Sequence, residues 1–250
     1  MNKLFNKIRK TALDENRIGK YLSYAIGEII LVVIGILIAI QINTYNQNLA
    51  NIQRINTYIE SLDDEIQHNI KSIQSTVDDL RLDLKANAKT LTHLNSKEAE
   101  TFSEEKIKSV FDTGPIYQVL WAKSTLDDLI NSGTLAYLKD EKLKNGILKL
   151  EAHKSVEQHS FENAEEVWIN NHKPYLMRHN SVANNWKSIN GIELPKLPFK
   201  LDRNAFVNNR DYSNIVSVRM RMVGNYEATL LGIRDTLIKL SGDINNHLNK

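Results

Sequence analysis

The sequence predicts an all-α protein, a single N-terminal transmembrane helix continuing into an extracytoplasmic antiparallel helical bundle. Three observations lead there. Residues 25–42, AIGEIILVVIGILIAIQI, are interrupted only by Glu28 and Gln41, and at 1.5 Å per residue they cover ~27 Å, just enough to cross a bilayer core. No Gly or Pro occurs between Gly35 and Gly114, and apolar residues recur there every three or four positions, the period of an amphipathic helix. A second stripe of the same period closes the sequence from about Ser213.

Residues 1–20 form a basic tail, with Lys3, Lys7, Arg9, Lys10, Arg17 and Lys20 against Asp14 and Glu15. The span follows at residues 21–43, with Tyr21 and Tyr24 at one interface and Tyr45 at the other, as aromatic belts require. Gln41-Ile42-Asn43-Thr44-Tyr45 lacks the small residues of a cleavage site, so the segment reads as an uncleaved signal anchor. The first basic residue after it is Arg54. By the positive-inside rule the amino terminus stays cytoplasmic and residues 44–250 are extracytoplasmic. In a bacterium with two membranes this means the inner membrane and a periplasmic domain.

Tyr24-Ala25-Ile26-Gly27-Glu28 and Gln41-Ile42-Asn43 flank the apolar run at fixed offsets. Over roughly residues 17–46 this pattern resembles the opening signature of an uncharacterised family of single-pass membrane proteins from Bacteroidota, a domain-of-unknown-function family. The likeness is looser at Ser132-Gly133-Thr134-Leu135, Pro174-Tyr175-Leu176 and the closing helix. Tyr45-Asn46 stands where that family typically has Trp-Asn. The resemblance implies a location and an architecture, and brings no activity with it.

Beyond the span, Leu49, Ile52, Ile55, Ile59, Leu62, Ile66, Ile70, Ile73, Val77, Leu80, Leu84, Leu91 and Leu94 form one stripe, with Ala88 in its single gap. The four-residue steps from Leu62 through Ile66 to Ile70 break the heptad and favour a mixed bundle over a long two-stranded coiled coil. The closing helix presents Ile215, Met222, Tyr226, Leu230, Ile233, Leu237, Leu240, Ile244 and Leu248, and is expected to pack antiparallel on the first. Gly224, Ala228 and Gly232 lie four apart within it. Because a glycine costs up to ~1 kcal/mol in a helix interior, these three are assigned to close packing against a neighbour. Between the two arms, Ser103 is expected to cap a short helix through Phe111 and Ser124 with Asp127 to start one ending at Gly133. Asp140 should cap a long helix over residues 141–171. Residues 172–210 are the least periodic, with turn signals at Asn184-Asn185, Asn190-Gly191 and Pro195 to Pro198, and a short extended piece at 192–194. Four main helices are expected.

The chain holds 32 basic and 30 acidic residues, of which the first 20 positions take six and two; the other 230 therefore hold 26 and 28. This slightly acidic body offers no surface for collecting phosphates, so nucleic acid is excluded as a partner. With no cysteine there is no disulfide, thiolate zinc site or cysteine nucleophile. Phosphate-binding glycine loops, Gly-x-Ser-x-Gly and His-Glu-x-x-His are missing from the sequence. No catalytic residue, metal or cofactor is assigned, and the chain is not expected to be an enzyme. His153, Glu157, His159, Glu162 and Glu166 crowd one helix, but the two histidines sit about 120° apart around its axis and the group reads as a solvated face. His68, His93, His172, His179 and His247 are scattered. Trp121, Trp168 and Trp186 are assigned to the core.

Glu28 is different, because a charged acid at mid-bilayer costs at least ~2.5–3.5 kcal/mol. Gly35 and Ala39 lie within about 20° of it around the helix, with Tyr24 close by, and together they make a transmembrane interaction face. Its partner would be another membrane protein or a second copy. The bland alternative is that Glu28 reaches the cytoplasmic headgroups by local thinning. The function expected is a membrane-anchored periplasmic interaction or scaffold module in contact with the lipid bilayer. Two alternatives stand beside it: a sensory input domain acting through a partner, since no second span follows, and a proton-coupled stator-like subunit using Glu28.

Overall fold

The computed structural model describes residues 18–111, 114–185 and 188–249. The basic residues up to Arg17, and Trp186, lie outside them. The chain divides into two compact units, Met1–Asn56 and Thr57–Lys250. Helix α1 (Ile18–Leu94) is one 77-residue element, in keeping with the absence of Gly and Pro between Gly35 and Gly114. In the first unit, residues 26–50 are exposed throughout. Among the described residues one helix is long and apolar enough to cross a membrane; its most apolar window has a mean hydropathy of 2.7 and no part of it is buried within the chain.

The second unit adds α2 (Glu104–Lys108), α3 (Ser124–Asn131), α4 (Glu141–Val167), α5 (Lys173–His179) and α6 (Arg210–Leu248). A two-residue hairpin, β1 (Ser188–Ile189) with β2 (Ile192–Glu193), turns on Asn190 and Gly191, both at positive φ. Asn-Gly is the pair that a tight hairpin turn favours. Among the described residues three helical runs are long, against the four expected, because α3 spans only 8 residues.

Helices α1 and α6 run antiparallel in one register. Asp63 meets Asn245, Gln67 meets Ser241, Gln74 meets Arg234, Arg81 meets Glu227 and Asn95 meets Ser213. Every step forward along α1 is matched by an equal step back along α6. Between these polar pairs the apolar stripes are buried: Ile59, Leu62, Ile66, Ile73, Val77 and Leu80 on α1, and Tyr226, Leu230, Ile233, Leu237, Leu240 and Ile244 on α6. Helix α4 also runs antiparallel to α6, from Lys142 at Asp243 (2.7 Å) to Ser160 at Thr229 (3.1 Å).

Several expectations need correction. The α1 stripe is buried only from Ile55, and Leu49 and Ile52 are exposed. Its gap is filled by polar Asn87 and Thr90 rather than Ala88, which is exposed. Thr90 is tolerated there because its hydroxyl donates to the Val110 carbonyl at 2.6 Å. In the first half of α6 the buried residues are Tyr212, Val216, Arg219 and Val223, one position on from Ile215 and Met222. The inward turn of Arg219 carries the stripe with it.

Close packing through Gly224, Ala228 and Gly232 is likewise overturned within this chain. A Cβ placed on either glycine meets nothing within 4 Å, and Ala228 is exposed. The tight approach is at Gly146 of α4, where a Cβ would stand 2.8 Å from Leu240 Cδ1.

Local signals set the other boundaries. Ser103 accepts from Lys106 N–H and Asp140 from Leu143 N–H, as expected of N-caps. Helix α3 is capped differently: Glu65 of α1 accepts from Thr125 N–H (2.8 Å) and Leu126 N–H (3.3 Å). The helix expected over 141–171 instead passes through a widened turn, Trp168–His172, into α5. There Lys173 N–H bonds to Trp168 O, five residues back. The wider ring lets the chain accept Pro174, which has no N–H to give and would crowd a regular turn.

Gly224→Ala and Gly232→Ala are expected to stabilise the protein by ~0.5–1 kcal/mol each through helix propensity. Gly146→Val should destabilise it by ~1–3 kcal/mol through overpacking on Leu240. Denaturant unfolding followed by circular dichroism measures all three, and losses at positions 224 and 232 would restore a close-packing role there.

Candidate functional site

In the first unit, Tyr24, Glu28, Gly35 and Ala39 all lie on α1 and are exposed. Gly35 has open space around the position of a Cβ. Among the described residues nothing covers this face.

In the second unit the polar chemistry is buried between α1, α4 and α6. Arg219 is fully buried and donates through Nη2 to Asp83 Oδ1 (2.7 Å) and to Gly114 O (2.6 Å). Its guanidinium lies 4.9 Å from the centre of the Trp168 ring, a cation–π contact in a dry site. Asp83 Oδ2 accepts from Asn87 Nδ2 at 2.9 Å, so both carboxylate oxygens are used. Arg219 Nε and Nη1 have no hydrogen-bond partner. The pairing is therefore incomplete, and the ring face of Trp168 supplies what attraction remains.

His172 sits beside this pair in the widened turn. Its Nε2 is 3.4 Å from Tyr212 Oη, its ring meets Trp168 edge-on, and Nδ1 is unpartnered. Burial, reinforced by the Arg219 charge, pushes the imidazole pKa down to about 3. Burial likewise pushes the Tyr212 phenol up, helped by Tyr175. Tyr175 stacks on Tyr212 and donates to Ala205 O at 2.7 Å.

Glu157 of α4 is the second buried charge. Tyr226 Oη donates to it at 2.6 Å, Gln118 Nε2 at 3.0 Å and Trp121 Nε1 at 3.2 Å. Burial, then the bond to Glu157, raises the Tyr226 pKa. The expected solvated face therefore fails at Glu157, while His159, Glu162 and Glu166 are exposed. His153 is half-buried, and burial followed by the Lys149 charge lowers its pKa. Among the described residues no three His, Asp or Glu side chains are placed to hold a metal ion.

A groove of about 790 Å³ opens between α2, the chain at Gly114 and Pro115, the widened turn and α5. Phe111, Trp168, Leu176 and Met177 supply its apolar walls. Trp168 and Gly114 belong both to the groove and to the Arg219 site, so the two share a wall. Sequence patterns missed Arg219, His172 and the groove. The one usable signal was Pro174 just past the expected helix end, which marks a distorted turn.

No family model, curated protein or solved structure matches this chain.

Arg219→Met should destabilise the protein by ~1–3 kcal/mol, because the half-buried Asp83 loses its charged partner and keeps only Asn87. Combining it with Asp83→Leu should restore part of that loss, and a double-mutant cycle on unfolding free energies reads the coupling. For His172 the unfolded imidazole takes a proton near pH 6.5 and the folded one only near 3. Its contribution is complete above pH 6.5 and is lost as pH falls towards 3, by up to ~1.4 kcal/mol per pH unit. His172→Phe should flatten the acid limb of a stability–pH profile; an unchanged slope would refute this.

Proposed function

We propose that the protein is a membrane-anchored helical interaction module. Residues 21–43 cross the inner membrane with the amino terminus in the cytoplasm, and residues 44–250 form a periplasmic antiparallel bundle that acts as a scaffold. The observation that carries this reading is the fully exposed apolar length of α1, with its one in-span acid. In water so large an apolar surface would not stay uncovered. The charge asymmetry of residues 1–20 supports this orientation, and the resemblance of residues 17–46 to the Bacteroidota family supports a single-pass membrane location. Tyr24, Glu28, Gly35 and Ala39 are the face offered to another membrane protein or a second copy. A sensory role through a partner is the second reading, favoured by the groove of the second unit.

Substitutions in the span test the proposal. Glu28→Gln keeps size and hydrogen bonding, so assembly should survive; Glu28→Leu and Gly35→Leu should weaken it, by an unsatisfied partner and by bulk. Co-purification of cross-linked partners from intact membranes reads assembly. A stator would instead lose coupling with Glu28→Gln while assembling normally. Full assembly with all three changes would end the interaction-face reading.

A further inference from the structure

Two features of the groove narrow what fits it. Its apolar walls and volume match sites that enclose drug-sized molecules, which run from roughly 300 to 1,000 Å³. Its charges mostly cancel: Lys108 on the rim is paired with Glu104 at 2.6 Å, and Arg219 behind the wall with Asp83. Two groove-lining charges remain uncommitted among the described residues, Glu105 on α2 and Lys173 at the start of α5. They come from different walls and have opposite sign. Asn180 also lines the groove and is almost fully buried. An anion or a cation alone would pair with one of these charges and leave the other to solvent; a molecule carrying both pairs with the two, which is the charge complementarity the groove offers.

We propose that this groove binds zwitterionic ligands with an apolar body, of the class of short apolar peptides, the ammonium pairing with Glu105 and the carboxylate with Lys173. The apolar side chains lie against Phe111, Trp168, Leu176 and Met177. This site goes beyond the anchoring role and does not depend on it.

The test is calorimetric titration of the full chain in lipid nanodiscs with the dipeptide leucyl-leucine. Its N-acetylated, C-amidated and doubly blocked forms are titrated alongside. The free dipeptide should bind saturably, one per chain, and each single block should weaken it by about tenfold or more. Glu105→Gln should erase the penalty for acetylation but keep that for amidation. Lys173→Met should do the reverse. Both residues are exposed, so the fold should stand, which circular dichroism checks. Equal binding of all four forms, tighter binding of a singly charged form, or no saturable binding to the folded chain would each overturn the proposal.

Discussion

The antiparallel pairing of α1 with α6 is the constraint on which the second unit hangs. From Asp63 opposite Asn245 to Asn95 opposite Ser213 the two helices advance by the same 32 residues in opposite directions. The polar pairs along this seam are mostly exposed, and such pairs contribute only ~0–1 kcal/mol each. Register is therefore set by the buried leucines and isoleucines between them, and the ladder of polar contacts reads it out. A shift of one residue would turn each stripe about 100° out of the seam. Arg219 with Asp83 is the exception, because a buried charge has nowhere else to go once the helices are in place.

On that pair of helices rests a stretch with little regular structure. Between Gly114 and Lys123 the backbone has no helix or sheet to satisfy it, yet Ile116 and Val119 are buried. Helix side chains take over the missing ladder: Asn69 both donates to Ala122 O and accepts from Ala122 N–H, each at 2.8 Å. Glu65 satisfies the first turn of α3, and Glu157 holds Gln118 and Trp121. At Ala122 Asn69 thus does what a neighbouring strand would do in a sheet, while Glu157 anchors two of the segment's side chains and Glu65 the helix that follows it. Leu120 and Tyr117 face outward as a result.

Much of the helical layout was legible in the sequence. The unbroken run to Leu94, the caps at Ser103 and Asp140, and the stripe from Tyr226 to Ile244 all follow from periodicity and local hydrogen bonding. What escaped was every buried charge. Glu65, Glu157 and Arg219 look like surface residues because their partners lie 36 to 136 positions away, beyond any local pattern. The same cause misplaced the glycines: Gly146 meets a residue of another helix, whereas Gly224 and Gly232 merely share a suggestive spacing. The groove was illegible for a related reason, since its walls come from four stretches that only the fold brings together.

The α1–α6 seam also sets the order in which the chain can fold. Its contacts join residues 118 to 182 positions apart, so nearly all the loop-closure entropy is met before any apolar burial repays it. During synthesis at roughly 5–20 residues per second, the stripe of α1 is complete on the order of ten seconds before the first turn of α6 exists. For that interval a long amphipathic surface waits without its mate, stable as a helix only in part. Until α6 arrives, the buried face of the mature seam is the largest apolar surface that the second unit leaves open to water.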